Sequence, residues 1–355
     1  MAETYYNIHD VVRFKIIDKQ KSLVDRIIGD PFQEYENYLS KDIVEDQNLD
    51  FVVNIVDNIE RRRDTYILDD EYYVNEGYIY TSDSYKIAKW DIEVIESDRR
   101  CIVNIAPNVA AKLFISGFFI DFVIQYVLTQ KGYSIVHSSA VSKCGRSHLF
   151  SGRGGSGKTS IAIHLISSDQ GFDYMGDDFV LIKDGHSLPY FTPLNLFNYN
   201  VNSFLLQKFS RVQKLNFKFK GWIYRVTGGY AKFFTKLNPL SIIPNVSSRQ
   251  SEVSTVTIII PKNGDTEFNL KPLSKNDAVK HITNNLMMDS WFIPKYFVQY
   301  GYMFPDSGYS RFWDKYHQNL MINLPESIKF YRVEVPKTMR WNDVVSNLRE
   351  GDEND

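Results

Sequence analysis

Eight consecutive residues near the middle of the chain have the types and spacing that phosphate binding requires. Residues 152–159 read Gly-Arg-Gly-Gly-Ser-Gly-Lys-Thr, which satisfies the pattern G-x-x-x-x-G-K-[S/T] at every fixed position. Glycines let successive backbone N–H groups point into one concavity, and the N-terminus of the following helix adds partial positive charge. The predicted nucleotide contacts are Gly152, Gly154, Gly155, Ser156, Gly157, Lys158, Thr159 and Ser160. Lys158 would reach the outer phosphates, and the Thr159 hydroxyl would join the shell of a Mg²⁺ ion.

The residues around this phosphate loop (152–159) supply the context that the pattern needs. The apolar segment 148–150 precedes the loop, and Ile161, Ala162, Leu165 and Ile166 share one face of a predicted helix after it. A strand, a glycine loop and a helix are therefore predicted in the required order. An ordinary glycine-rich turn is the alternative, and the full match in this context disfavours it. We predict binding of a nucleoside triphosphate.

A pair of carboxylates, Asp177 and Asp178, follows one helix length after the loop and precedes the apolar run 179–182. In motor ATPases the acidic magnesium residue ends a hydrophobic strand. Here the predicted strand comes after the acids, and no Leu-Ser-Gly-Gly-Gln transporter signature is present. The order disfavours a motor ATPase. The alternative for the acid pair is a solvated turn.

Three segments together resemble a known family. His137-Ser-Ser-Ala-Val141, the phosphate loop, and Gly176-Asp177-Asp178 before an apolar strand are similar to the catalytic core of HPr kinase/phosphorylase and its relatives. The resemblance covers about fifty residues. It implies a fold akin to ATP-dependent phosphoenolpyruvate carboxykinase and transfer of phosphate to a serine hydroxyl. It also implies catalytic roles for Asp177 as base, His137 near the transferred phosphate and Lys158, with Thr159 and Asp178 as metal ligands.

The sequence departs from this family downstream of the acid pair. The second signature of the true HPr kinases, with its magnesium-binding glutamate and basic residues, is not recognisable. No Asp or Glu occurs between Gly185 and Ser251, so a third metal carboxylate could come only from Glu252 or beyond. This departure counts against HPr as the substrate and against a reverse, phosphate-dependent reaction.

The residues support phosphoryl transfer independently of the resemblance. The reaction needs positioning, a metal on the phosphate oxygens and a carboxylate that orients the nucleophile. Two adjacent carboxylates can divide the last two roles, and we expect repulsion and desolvation to raise one of their pKa values. For His137 the competing interpretation is a hydrogen-bonded histidine of the core.

Composition places the chain among globular proteins. It has 355 residues, a net charge of −2 and two cysteines without metal or disulfide spacing. The first residues lack a signal-peptide pattern, and the longest apolar run, 113–128, is too short to span a bilayer. We expect a cytoplasmic protein in which this run is a buried helix.

The balanced net charge conceals an acidic N-terminal part and a basic middle. Short β-type runs separated by turns over 65–106 predict an antiparallel meander, and 8–30 suggests an amphipathic helix or mixed structure. Basic residues alternate with aromatic residues in the segment 205–250, which contains no acid. That segment favours an acidic or phosphorylated partner, with single-stranded nucleic acid and the chain's own acidic module as alternatives. Gly228-Gly229 suggests a lid loop.

These observations combine into one prediction. We expect an α/β (α+β) protein with a β-rich module over 1–107, a kinase domain over 108–300 and a strand-helix extension with a disordered acidic tail over 301–355. With ATP and Mg²⁺ it would phosphorylate a hydroxyl of a peptide, a protein or a small molecule, and we expect a homo-oligomer. The alternatives are an ATP-sensing module without transfer and a nucleic-acid or sugar kinase.

Overall fold

A computed structural model describes residues 2–19, 32–42, 45–97, 100–115, 119–168, 171–196, 201, 203–226, 235–264, 267–290 and 294–353. Contacts divide the chain into two compact units, Met1–Gly132 with Ser290–Lys315, and Tyr133–Asp289 with Tyr316–Asp355. These boundaries differ from the predicted ones at 107 and 300. Residues 108–132 group with the N-terminal sheet, and the predicted C-terminal extension is split between the units.

The first unit contains an eight-stranded sheet. Its strands are β1 (Ala2–Ile8), β2 (Val12–Asp18), β3 (Phe51–Ile55), β4 (Tyr66–Asp69), β5 (Tyr72–Asn75), β6 (Tyr78–Tyr85), β7 (Ala88–Ser97) and β8 (Arg100–Pro107), in the order β1-β2-β3-β8-β7-β6-β5-β4. Strands β4 to β8 pair antiparallel with their sequence neighbours, which confirms the predicted meander. An amphipathic helix or mixed structure is predicted over 8–30, and the helix alternative is wrong for residues 8–18, because β1 and β2 form a hairpin there. Residues 20–30 lie outside the described residues.

The second unit is built on a nine-stranded mixed sheet. Its strands are β9 (Ser134–Val136), β10 (Ser138–Lys143), β11 (Arg146–Ser151), β12 (Asp173–Gly176), β13 (Val180–Lys183), β14 (His186–Leu188), β17 (Ser251–Lys262), β18 (Asn269–Pro272) and β19 (Lys329–Pro336). The separate pair β15 (Leu194–Leu196) and β16 (Thr235–Leu237) is antiparallel. Strand β17 pairs parallel with both β11 and β19. The C-terminal strand is therefore part of this sheet.

The α-helices of the described residues belong to both units. They are α1 (Asp121–Gln130), α2 (Lys158–Ser167), α3 (Ser203–Lys208), α4 (Arg211–Val226), α5 (Pro239–Ile242), α6 (Lys275–Asp289), α7 (Pro294–Met303), α8 (Phe312–Asn323) and α9 (Trp341–Glu353). Short 3-10 turns occupy Gln33–Tyr38, Asp46–Asn48 and Ala111–Phe114. Ser274 caps α6, because its hydroxyl oxygen accepts the Asp277 N–H at 3.1 Å, as the capping pattern predicts.

Helix α2 lies between the sheet and the C-terminal helix. Its buried residues Ile161 and Leu165 share one apolar core with Val141 of β10, Phe150 of β11 and Val344 of α9. The predicted order of strand, phosphate loop and helix is confirmed, with β11 ending at Ser151 and α2 beginning at Lys158. Burial of this helical face fixes both ends of the loop.

Several other predicted elements change. The aromatic-rich region 291–313, whose sequence predicts irregular structure, is helical at 294–303 in α7 and again from Phe312 in α8, and residues 304–311 between them are irregular. A strand over 253–260 that ends at Pro261 is predicted from the sequence, but β17 continues to Lys262. Helix α9 extends to Glu353, so most of the tail predicted to be disordered is helical. The predicted buried helix over 113–128 begins at Asp121, after a 3-10 turn.

The fold class is α+β, as predicted, with helices and several sheets. Within the described parts of the chain, no helix is both long enough and apolar enough to cross a membrane.

Gly176 ends β12 at a point where two backbones come very close. A Cβ atom there would lie 2.7 Å from the carbonyl oxygen of Tyr190 and 2.8 Å from that of Phe179. Both obstacles are backbone atoms, so a side chain would force the strands apart. Glycine is therefore required immediately before the acid pair.

We predict that Gly176→Ala lowers the free energy of unfolding by about 1–3 kcal/mol, as overpacking of a tight interior site does. Chemical denaturation followed by circular dichroism measures this loss. Gly154→Ala is the matched control, because no described atom lies within 4 Å of a Cβ at Gly154. Equal stability of the two variants would contradict the close approach.

Candidate functional site

The phosphate loop joins β11 to α2 and is shaped by glycines. Gly155 and Gly157 have φ angles of 81° and 97°, which L side chains rarely adopt. A Cβ on Gly157 would lie 1.8 Å from the ring of Trp341, at the start of α9. The loop conformation and the packing of α9 therefore both require glycine at position 157.

Lys158, the first residue of α2, is buried beneath the loop. Its Nζ donates a hydrogen bond of 2.6 Å to the carbonyl oxygen of Gly152. Burial lowers the pKa of Lys158, and the nearby charges of Asp178 and Asp177 act in the opposite direction. The loop thus surrounds a buried ammonium group that lies close to two carboxylates.

Asp177 contacts the next residue of α2. The hydroxyl of Thr159 lies 2.8 Å from Oδ2 and 3.0 Å from Oδ1 of Asp177. Asp177 is only 3% exposed, and burial together with the charge of Asp178 raises its pKa to about 7. The expectation that one carboxyl of the pair has a raised pKa is confirmed. Thr159, predicted as a metal ligand, is thereby joined to the predicted base.

Asp178 has a backbone conformation that few residues adopt. Its φ angle is 66°, in the left-handed region that Asp and Asn tolerate best among non-glycine residues. Asn195 donates from Nδ2 to Oδ2 of Asp178 at 3.1 Å, and the Thr192 hydroxyl donates to the carbonyl oxygen of Asp177 at 3.0 Å. The proline-punctuated apolar segment 188–195 therefore lies beside the acid pair.

The acid pair follows a strand that the sequence analysis missed. Strand β12 ends at Gly176 and pairs antiparallel with β10, so the acids form the turn between β12 and β13. The prediction that no strand leads into the acid pair, which disfavours a motor ATPase, is therefore wrong. The short interval between the loop and the acids remains, because β12 is the only described element between α2 and the pair.

His137 contacts a carboxylate that sequence reasoning did not identify. Its Nδ1 contacts Oδ2 of Asp289, the last residue of α6, and its Nε2 lies 3.9 Å from Oδ1 of Asp178. Arg153 of the phosphate loop donates from Nη1 to the other oxygen of Asp289 at 2.7 Å. Asp289 thus joins the histidine to the loop.

The environment of Asp289 favours its charged form. Burial acts to raise its pKa, but the hydrogen bond and charge of His137, with the charges of Arg153 and Lys158, outweigh burial and lower it. A carboxylate at a helix C-terminus is unfavourable for the helix dipole. That unusual position is the one local signal that could have drawn attention to Asp289.

Asn285, one helical turn before Asp289, was also missed. Its Nδ2 donates to the carbonyl oxygen of Gly152 at 3.2 Å and lies 3.4 Å from that of His137. One face of α6 therefore connects the first residue of the phosphate loop with the histidine after β9.

The predicted site residues come together, with one exclusion. His137, Lys158, Thr159, Asp177 and Asp178 are linked by the contacts above, and Ser160 is buried in α2. Glu252 does not supply a further metal carboxylate. It pairs with Arg146 at the far end of β11, five residues and about 16 Å from Ser151.

The donor set fits Mg²⁺ and a polyphosphate. Mg²⁺ takes oxygen ligands, usually one or two carboxylates with substrate phosphates, and Thr159, Asp177 and Asp178 offer such oxygens. Among the described residues, the buried hydroxyl of Ser156 has no hydrogen-bond partner, so the loop offers an unsatisfied polar group. Within the described residues, no cluster of three or more His, Cys, Asp or Glu side chains is suited to hold a metal by itself.

No protein-family model matches the chain, and no curated protein matches it in sequence. The resemblance to HPr kinases therefore stays a prediction based on three motifs.

The raised pKa of Asp177 leads to a pH-dependent stability. Between pH 4 and 7 the folded chain keeps this proton while the unfolded chain, with a pKa of 3.8, loses it. The stability contribution of Asp177 therefore falls as pH rises through this window. We therefore expect the free energy of unfolding of Asp177→Asn, relative to that of the wild type, to increase by on the order of 2–4 kcal/mol as the pH rises from 4 to 8. The comparison is made without nucleotide or Mg²⁺.

Urea titrations of both proteins across this range measure the effect. Asp184→Asn is the matched control, because the Asp184 side chain is 72% exposed. A constant difference between wild type and Asp177→Asn at all pH values would contradict a raised pKa in the folded chain.

Proposed function

We propose that this chain is an ATP- and Mg²⁺-dependent phosphotransferase that phosphorylates a hydroxyl group. The observation that carries the proposal is the contact of the Thr159 hydroxyl with both carboxylate oxygens of Asp177, at 2.8 and 3.0 Å. It brings the predicted phosphate loop and the predicted acid pair into one buried site. The alternative interpretations, an ordinary glycine-rich turn and a solvated acidic turn, do not predict a buried contact between the two segments.

The phosphates would be held by the loop and by Lys158. Backbone N–H groups at the start of α2 and the buried ammonium supply positive potential, and the open surface at Gly154 leaves room for a ligand. Lys158 would exchange its bond to the Gly152 carbonyl for a phosphate oxygen. Arg153 is already paired with Asp289, so we assign it to the support of the site.

The proton of the acceptor hydroxyl would go to Asp177. A carboxyl with a pKa of about 7 accepts a proton efficiently near neutral pH. The bond from the γ-phosphorus to the bridging oxygen breaks, a bond to the acceptor oxygen forms, and ADP leaves. Mg²⁺, held by Thr159 and Asp178, would neutralise charge on the phosphate oxygens.

His137 and Asp289 resemble a histidine oriented by a carboxylate. A contact at Nδ1 fixes the ring and selects which nitrogen carries the proton, as in other histidine-carboxylate pairs. The other nitrogen, Nε2, is the one nearer Asp178. We therefore assign His137 to the reacting phosphate or the acid pair, and Asp289 to the positioning of His137.

The resemblance to HPr kinases supports a hydroxyl acceptor, and the absence of their second signature counts against HPr itself as that acceptor. A serine or threonine of a peptide or protein, or a small molecule, fits that combination best. We also propose that the second unit is a phosphate-loop domain like that of HPr kinase and phosphoenolpyruvate carboxykinase. The proposed protein is cytoplasmic and forms a homo-oligomer.

We predict that Asp177→Asn lowers phosphate transfer at least about a hundredfold while nucleotide binding changes little, because general-base catalysis contributes about 10²–10⁴-fold. Labelled ATP with Mg²⁺ is mixed with fractions of protein, peptide, RNA and small molecules. If the wild type transfers label to one fraction and Asp177→Asn does not, that fraction identifies the acceptor class. Nucleotide binding by both proteins without any transfer would instead indicate a sensing module.

We predict that Asp289→Asn lowers kcat about 10–100-fold with little change in the KM for ATP, because His137 loses its orienting charge. The pH dependence of kcat should also shift, which loss of a merely structural contact would not cause. Asp277→Asn, near the other end of α6, is the matched control. An equal loss in Arg153→Gln would assign the effect to the arginine and contradict the role of Asp289.

A further inference from the structure

Helix α4 exposes a continuous row of large apolar side chains. They are spaced by three, four, three and four residues, so they form one line along the helix. This apolar stripe consists of Val212, Leu215, Phe219, Trp222 and Val226, which are 77%, 71%, 58%, 59% and 65% exposed. The rings of Phe219 and Trp222 stack on each other at 6.1 Å. Scattered surface apolar residues are ordinary, but a contiguous row on one helix marks an interaction surface.

The other side of α4 fixes the stripe in its outward orientation. Phe217 packs edge-to-face on the buried Phe209 at 5.6 Å and adjoins the apolar core of the second unit. Rotation of the helix that buried the stripe would expose Phe217. The exposure is therefore a property of the fold rather than of a loosely attached helix.

Basic residues run beside the stripe. Arg211, Lys214, Lys218 and Arg225 are spaced by three, four and seven residues, so they form a second line next to the apolar one. No acidic residue occurs from 186 to 250 to neutralise them. The helix therefore presents an apolar line and a cationic line side by side.

We propose that this face of α4 binds the surface of a membrane that contains anionic lipid. An amphipathic helix with Trp, Phe and aliphatic residues on one face and Lys and Arg beside them lies in the plane of the headgroups. The apolar stripe would enter the boundary between headgroups and acyl chains, and the basic line would contact lipid phosphates. At 16 residues the helix is about 24 Å long, enough to contact several lipids.

The composition of the stripe favours lipid over the other partners of a basic surface. Single-stranded nucleic acid binds through aromatic rings on which bases stack, yet Val212, Leu215 and Val226 offer no ring. An acidic protein groove could accept the apolar stripe, but it would have to match the length and spacing of both lines. A bilayer meets both lines along the whole helix at once, because lipid phosphates border the acyl region everywhere. The inference does not depend on the proposed phosphotransfer.

The test is co-sedimentation of the full chain with vesicles of phosphatidylcholine and phosphatidylglycerol, compared with vesicles of phosphatidylcholine alone. We expect binding to the anionic vesicles that weakens as salt is raised. The triple variant Leu215→Ser, Phe219→Ser, Trp222→Ser should bind at least about tenfold more weakly. Each of Lys214→Gln, Lys218→Gln and Arg225→Gln should weaken binding about fivefold.

Matched substitutions elsewhere control for loss of general hydrophobicity or charge. Val298→Ser, Tyr302→Ser and Ile322→Ser remove exposed apolar side chains of other helices, and Lys271→Gln, Lys280→Gln and Lys329→Gln remove exposed charges. These control variants should bind vesicles like the wild type. Circular dichroism and denaturation midpoints verify that each variant is folded.

Three results would overturn the proposal. One is absence of wild-type binding to anionic vesicles. Another is equal vesicle binding by the wild type and the stripe variant. The third is a change of oligomeric state in the stripe variant during sedimentation, which would assign the stripe to contact between copies of the chain. If vesicle binding is absent, binding of a single-stranded oligonucleotide through α4 would assign the face to nucleic acid.

Discussion

The burial of charge next to the phosphate loop is the constraint on which the second unit depends. Lys158 and Asp177 are each at most 5% exposed, and a buried ionisable group is tolerated only when hydrogen bonds or a shift to the neutral form offset its removal from water. The Gly152 carbonyl and the Thr159 hydroxyl provide this compensation. These two hydrogen bonds fix the relative positions of β11, α2 and the turn after β12.

Close packing of backbone adds a second constraint at the same place. Gly157 lies against the Trp341 ring, and Gly176 lies against the carbonyl oxygen of Tyr190. The C-terminal helix α9 thus packs on the loop, and its strand neighbour β19 pairs with β17. Residues 329–353 therefore support the candidate site, although their sequence suggests a simple extension.

The second unit carries two kinds of surface with opposite chemistry. The candidate site gathers acidic groups around one buried lysine, whereas α4 is basic, apolar and exposed. The acid-free interval 186–250 separates the residues of the acid pair from those of β17 in the chain. This interval therefore contains neither a glutamate comparable to the downstream one of HPr kinases nor an acidic residue next in sequence to the basic residues of α4. The lid predicted at Gly228-Gly229 lies outside the described residues.

The amino-acid sequence predicts the phosphate loop, the helix after it, the raised pKa within the acid pair, the N-terminal meander and the capped helix α6. Each of these depends on neighbours within a few residues, so spacing and residue type suffice. Asp289 and Asn285 are recognised only in the folded structure, because the residues to which they hydrogen-bond lie 133 to 148 residues away in the chain. Strand β12 escaped prediction because four residues are too few for a pattern. The exclusion of Glu252 likewise required the register of β11 against β17, since local periodicity carries no information on which ends of two distant strands meet.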